Sequence, residues 1–337
     1  MRAALLYGPR DVRMATVPDP TPGPREVVVK MACCGVCGTD LHGWEGWNRN
    51  RNGSPDPEPR NLGHEIAGSV AEVGRDVTRV RVGQRVTVNP YIFCGECFYC
   101  LNDYTTHCTN RKVYTRGWAE YVLSHESGTY LVPDDLSLEV ASQAEPLGAC
   151  LHAVDIAQIR SGSVALVLGA GPMGMMVHAL IRQSGAARTI VSEPSAHRRE
   201  IARRMGADVV VDPTNEDLVE VVKAETDGVG VSLAVDAVTR HFTLKQAFEV
   251  THRGGTIVML GQAPAEDQFP FTPIDLKTRG LTFKGASSRG HTFDRALRWL
   301  RRIDFGVLID DARPMADLNE VFGAMKDGRV GKVVVTA

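Results

Sequence analysis

Val164-Ala-Leu-Val-Leu-Gly-Ala-Gly-Pro-Met-Gly174 decides the fold of this chain. Five apolar residues read as a strand buried on both faces, followed at once by Gly169-Ala-Gly-Pro-Met-Gly174, a G-x-G-x-x-G that opens a helix. Pro172 occupies the first helical position, where a missing N–H costs nothing. Met173, Met176, Val177, Leu180 and Ile181 continue at helical spacing. In such a turn the first glycine permits the tight bend and the second lets the backbone approach a pyrophosphate. The third allows close helix–strand packing, and the helix N-terminus supplies N–H groups and dipole to the phosphates.

Downstream the pattern repeats as strand and helix. Strands are expected at Thr189–Glu193, Val209–Val211, Leu233–Asp236, Thr256–Leu260 and Leu281–Lys284, with a helix running from Ser195 to a stop at Gly206. Six strands make a doubly wound parallel sheet of the α/β class. Glu193, closing the second strand, is placed to accept hydrogen bonds from a ribose 2′-hydroxyl, which favours NAD over NADP. Arg198 and Arg199 beside it could instead contact a phosphate or cover an adenine face. Asp236, Leu260 and Gly261, at the ends of later strands, are expected along the same crevice.

Upstream of this region the chain reads differently. Short runs such as Glu26–Lys30, Ile66–Val73, Arg85–Val88 and Ala119–Leu123 alternate with Gly and Pro, the signature of an irregular, mostly β barrel. The expected divisions are 1–148 for that first domain, 149–286 for the dinucleotide domain, and 287–337 for a return of the chain to the first domain. The 337 residues suit two domains. Thirty-eight basic against 40 acidic residues, a net charge of -2, give no field of one sign. Neither a nucleic-acid tract nor a membrane-surface patch is implied, and the expected partner is a small molecule. The N-terminal Met1–Arg10 is too short an apolar stretch for a secretory signal, and no run approaches the roughly 20 residues of a membrane span. A soluble, cytoplasmic protein is the expectation.

Cys94, Cys97, Cys100 and Cys108 form C-x2-C-x2-C-x7-C. Four thiolates at this spacing close a tetrahedral zinc site with no open position, hence a structural metal, with two local disulfides as the competing reading. A more dispersed set is Cys37-Gly-Thr-Asp-Leu-His42, Gly63-His-Glu65 and Glu145-Pro146. Together Cys37, His64, Glu65 and Glu145 supply a thiolate, an imidazole and two carboxylates, which could hold zinc and leave a position for substrate. Spacing alone does not bring them together.

These motifs, in this order, resemble the zinc-dependent medium-chain dehydrogenase/reductase superfamily, in the branch of sorbitol and other polyol dehydrogenases and threonine dehydrogenase. The resemblance covers essentially the whole chain. It implies a GroES-like β-barrel catalytic domain with a Rossmann domain inserted, and a hydride exchanged between NAD and a secondary alcohol or ketone. It implies a catalytic zinc on Cys37, His64 and Glu65, with Glu145 binding directly or through water, and Asp40 orienting the histidine. Thr39 would hold the substrate hydroxyl and pass its proton toward His42; zinc lowers the pKa of bound water from about 16 to about 7, and a bound alcohol would shift similarly. Trp44, Glu145 and Arg289 are the substrate-contact candidates. The implied substrate is a polyol, sugar or (amino)cyclitol, with a threonine-like amino alcohol as the alternative. A zinc-free reductase or non-catalytic relative is a more distant alternative, since such relatives lack the cysteine, histidine and threonine retained here. Members are commonly homodimers or homotetramers, and the sheet edge near Leu281 could pair across a two-fold axis.

Overall fold

The computed structural model describes residues 1–46, 59–114, 116–264, 267–287 and 292–337. The chain divides into two compact units, residues 1–148 with 289–337, and residues 149–288. None of the helices among the described residues is long and apolar enough to cross a membrane.

The first unit is built on a seven-stranded sheet. Its path runs Ile309–Pro314, Lys332–Thr336, Glu26–Gly35, Glu65–Val73, Arg85–Val88 and Thr129–Leu131, with Tyr121–His125 also paired to Glu26–Gly35. The C-terminal strand therefore lies directly on the long N-terminal one, pairing Val334 with Gly35 and Val335 with Cys34. Alternation along Glu26–Gly35 sends Val27, Val29 and Met31 into a core with Leu6, Ile66, Val86, Val88, Trp118, Phe322 and Val335. The pairing of Glu26–Gly35 with Glu65–Val73 shifts register between Val28 and Val29 and again between Met31 and Cys33.

The second unit is a six-stranded, all-parallel sheet in the order Val209–Val211, Arg188–Ser192, Val164–Leu168, Val231–Asp236, Thr251–Met259, Thr282–Gly285. The strand expected to start the sheet is its centre, and the order reverses there, which is where doubly wound folds bind ligands. Gly169 takes φ +92°, a conformation that side chains avoid, and a Cβ on Gly174 would lie 1.9 Å from the Gly169 carbonyl oxygen. Two of the three glycines are thus required by the turn itself. The fold is the α/β pairing of a GroES-like and a Rossmann-like unit that the resemblance implied.

Helix Pro172–Gln183 carries an unusual buried polar side chain, His178, with no solvent exposure. Thr189 donates its hydroxyl to Asp208 at 2.8 Å, so it receives the His178 Nε2–H at 3.1 Å, and the buried His178 Nδ1 has no hydrogen-bond partner among the described residues. Burial first, then Arg182, pushes this imidazole down to about 4. Because the folded pKa lies below the unfolded value near 6.5, the unfolded chain binds more protons between those values, and stability falls as pH drops from about 6.5 toward 4. This one group contributes at most about 1.4 kcal/mol per pH unit. The His178→Gln variant is expected to lose that component of the pH dependence of its urea midpoint; identical slopes in variant and parent would place the acid sensitivity elsewhere.

Candidate active site

Cys37 follows the strand Glu26–Gly35 and caps the helix Gly38–Trp44. Its N–H donates to Asp40 Oδ2 at 3.0 Å, while Asp40 Oδ1 accepts from the Gly63 N–H at 3.3 Å and lies 3.4 Å from His64 Nδ1. One buried carboxylate therefore fixes the cysteine, the turn before the histidine, and the imidazole ring itself. Burial pulls the His64 imidazole down, but Asp40 and then Cys37 outweigh it and hold it well above its usual range.

Glu65 begins the neighbouring strand and is paired in register with Gly35. That glycine has a steric reason: a Cβ there would stand 2.0 Å from Glu65 Oε2. The glutamate is fully buried, and its Oε2 forms an ion pair with Lys332, itself buried at the start of the C-terminal strand. Lys332 also donates to the Val36 carbonyl at 3.3 Å. Burial works against the ammonium charge, yet Glu65, Cys37 and Glu145 together raise its pKa. Ligand atoms of Cys37, His64 and Glu65 lie within 4.8 Å of one another. Glu65 Oε1 has no hydrogen-bond partner among the described residues. A thiolate, an imidazole and a buried carboxylate with an unsatisfied oxygen form a donor set that fits zinc.

Glu145, near the start of helix Ala144–Ala157, lies outside that 4.8 Å group. It is buried, and burial first, with Glu65 adding repulsion against the pull of His64 and Lys332, raises it to about 7. Thr39 is exposed and His42 half-buried; at i and i+3 they share one face of the helix Gly38–Trp44.

Trp44 is 7% exposed, stacks on Phe322 at 5.4 Å between centroids and donates its indole N–H to Asn319 at 3.0 Å, which packs it against the core of the first unit. Arg289 lies outside the described residues.

The four cysteines of the second motif converge as well, with all sulfurs within 4.8 Å, Cys94 and Cys108 at 3.5 Å and Cys94 and Cys100 at 3.8 Å. None is bonded to another, and these separations are far above the ~2.05 Å of a disulfide. Backbone N–H donation from Cys100 leads the effects that lower the Cys97 thiol to about 6, so a thiolate is accessible at neutral pH. Four thiol groups around one point fit a closed zinc site.

In the second unit, Gly171 caps helix Pro172–Gln183, with Pro172 and Met173 in its first turn, and a Cβ on Gly171 would meet nothing within 4 Å. That open approach is what a pyrophosphate needs. Glu193 is buried just after the second strand, accepting from the Ala170 N–H at 2.8 Å and the Ser195 N–H at 2.9 Å. Through Ala170 it braces the glycine turn. Arg199 is tied to Asp212 and to the Glu193 and Pro194 carbonyls, whereas Arg198 is half-buried beside it. Asp236 is fully buried, with one oxygen accepting from the Val238 and Thr239 N–H groups and the other from the Thr243 hydroxyl, which shapes the turn after its strand. Its carbonyl receives the N–H groups of Leu260 and Gly261, which fixes those two residues at the sheet's carboxyl end.

Residues 23–134 match the alcohol dehydrogenase GroES-like domain and residues 172–302 the zinc-binding dehydrogenase domain. The chain is similar to L-threonine 3-dehydrogenase of Pyrococcus abyssi (strain GE5 / Orsay), with 34% identity over 344 residues, 99% of this chain and 97% of that protein. Among solved structures it is similar to a candidate zinc-binding dehydrogenase from Sinorhizobium meliloti 1021 bound to NADP. The TM-score is 0.92 at 30% identity, covering 100% of this chain and 99% of that one. L-idonate 5-dehydrogenase from Escherichia coli str. K-12 substr. MG1655 matches with a TM-score of 0.87 at 25% identity, over 100% and 98% of the two chains. Full-length similarity at this level, carried by a chain whose cysteine, histidine and glutamate converge as described, shows that it belongs to the zinc-dependent medium-chain dehydrogenase/reductase superfamily.

Proposed function

We propose that this chain is a zinc- and NAD-dependent dehydrogenase that interconverts a secondary alcohol and its ketone in a small hydroxyl-rich compound, a polyol, sugar or (amino)cyclitol. The observation that carries the reading is the convergence of Cys37, His64 and Glu65, whose ligand atoms lie within 4.8 Å of one another. Zinc on these three residues would acidify a substrate hydroxyl as a Lewis acid, and NAD would accept the hydride. Asp40 keeps His64 oriented as a ligand. Thr39 offers a hydroxyl to the substrate oxygen, and His42, one turn along the same helix face, takes up the proton from that side, a task suited to an imidazole near neutral pH. Glu145, buried and raised to about 7, presents either a hydrogen-bond donor or an acceptor to a further substrate hydroxyl. Cys94, Cys97, Cys100 and Cys108 would hold the second, structural zinc. The preference for NAD rests on Glu193, whose carboxylate would oppose a 2′-phosphate.

A second reading, a threonine-like amino alcohol, is supported by the name of the Pyrococcus abyssi relative. NADH formation by the zinc-loaded protein across polyols, cyclitols, aminocyclitols, L-threonine and simple secondary alcohols separates the two. A polyhydroxylated substrate turned over fastest supports the first, preference for L-threonine the second, and silence toward all alcohols with either dinucleotide overturns both.

Replacing Cys37 with serine should remove one of two bound zinc equivalents and lower turnover by at least about 100-fold, since even a change behind a metal ligand costs about 10- to 100-fold. Retention of both zinc equivalents would take Cys37 out of the site. The Lys332→Met variant strips Glu65 of its countercharge. Its metal-free form should be destabilised by about 3–5 kcal/mol, the scale for breaking a buried pair, and zinc should bind more tightly, since the carboxylate then has only the metal. An unaltered melting temperature with unaltered zinc affinity would contradict that account. For the dinucleotide, Glu193→Gln should narrow the preference for NAD over NADP by about 10-fold, a difference of about 1.4 kcal/mol; an unchanged ratio would mean that another residue reads the ribose.

A further inference from the structure

Asn319 belongs to none of the motifs, yet its side chain makes three hydrogen bonds. It sits half-buried in the first turn of helix Leu318–Lys326. Its Oδ1 accepts the Val12 N–H at 3.1 Å and the Trp44 indole N–H at 3.0 Å, and its amide donates to the Val12 carbonyl at 2.8 Å. Phe322 and Lys326 follow on the same helix face, three and seven residues on. Phe322 stacks on the Trp44 ring, and Lys326 pairs with Glu45 at 3.1 Å. The Trp44 carbonyl is taken by the Arg10 N–H at 2.7 Å. One face of Leu318–Lys326 therefore grips the C-terminal end of helix Gly38–Trp44 through an indole N–H, a ring face and a carboxylate.

The gripped helix carries Thr39 and His42. At seven residues it is too short to persist on its own hydrogen bonds, so tertiary contacts must place it. Its N-terminal end is fixed by Asp40, which bonds the Cys37 and Gly63 N–H groups and lies 3.4 Å from His64. Its C-terminal end is fixed by Trp44. Asp40 and Trp44 stand at i and i+4 on the buried face, and with both held, the directions of Thr39 and His42 follow. Packing alone needs only the ring on Phe322; an indole N–H aimed at one amide oxygen adds a direction that packing does not supply. His42 lies two residues from Trp44, about 3 Å along the helix axis, whereas Thr39 adjoins Asp40. Loosening Trp44 would displace His42 more than Thr39, and would leave Cys37 and His64 held by Asp40.

We propose that Asn319 is a positioning residue for proton removal: by holding the Trp44 indole it fixes the end of the helix from which His42 takes up the substrate proton. The inference rests on the dehydrogenase reading above, in which His42 has that task while NAD takes the hydride. The effect of Asn319 on the reaction runs through Trp44.

The test uses the zinc-loaded protein with NAD and the fastest alcohol of the panel above. Asn319→Leu removes all three hydrogen bonds. Trp44→Phe removes only the indole N–H, and keeps a ring on Phe322 and Asn319 on Val12. Both variants should retain two zinc equivalents and the parent KM for NAD while kcat falls about 10- to 100-fold, since a misplacement of about 1 Å can cost about 100-fold. The solvent deuterium isotope effect on kcat should rise, because proton removal then limits turnover. The double variant should be no slower than the slower single one, as both changes break one link. Asn319→Asp, which keeps an acceptor for the indole, should recover most of kcat. Val321→Ala, a buried change on another face of the same helix, lowers stability and should leave kcat and the isotope effect as in the parent. The proposal is overturned if Val321→Ala slows turnover as much as the other two, or if their loss of kcat comes with an unchanged isotope effect. Parent turnover alongside unaffected Asn319→Leu and Trp44→Phe variants defeats the Asn319 inference and leaves the dehydrogenase reading standing. No turnover by the parent with any alcohol defeats that reading, and the inference with it.

Discussion

A carboxylate with no access to water cannot remain charged unless something answers the charge, and in the first unit Lys332 answers Glu65. The two residues come from opposite ends of the chain. They meet because the strand Lys332–Thr336 pairs with Glu26–Gly35, and because Gly35 leaves the space that Glu65 occupies. The C-terminal strand thereby does more than complete a sheet. It delivers the cation that makes a buried glutamate tolerable before any metal arrives, and leaves one carboxylate oxygen unsatisfied beside Cys37 and His64. The site is preorganised by a charge pair whose second member a divalent cation can compete with.

The dinucleotide unit follows a different logic, in which backbone conformation matters more than charge. Gly169 bends the chain, Gly174 lets the helix sit on the strand, and Glu193 and Asp236 each spend a buried carboxylate on backbone N–H groups to hold the turns at the sheet's carboxyl end. Such bracing keeps phosphate-binding N–H groups in place without side-chain motion, and suits a fold that binds its dinucleotide at a topological switch point.

Local features were legible in the sequence wherever a residue's role is set by its neighbours along the chain. The glycine turn, the parallel strands and the cysteine cluster all have short-range signatures, and the fold class followed from them. The grouping of Cys37, His64 and Glu65 was legible only through resemblance, because the three come together by strand pairing that no spacing encodes. Gly35 and Lys332 escaped because each acts through a distant partner: a glycine at a strand end and a lysine in a terminal apolar run both have ordinary local explanations. For Trp44 and Asp236 the residue type alone did not reveal the partners that the fold supplies: Phe322 and Asn319 hold the indole, and three local donors hold the carboxylate.

Anomalous diffraction at the zinc edge, from crystals of the zinc-loaded protein, tests the central claim most directly. The account predicts two peaks per chain, one bounded by the sulfur of Cys37, the ring of His64 and the carboxylate of Glu65, the other enclosed by Cys94, Cys97, Cys100 and Cys108. A single peak in the four-cysteine cluster, with Glu65 still held by Lys332 and nothing between it and Cys37, would contradict it.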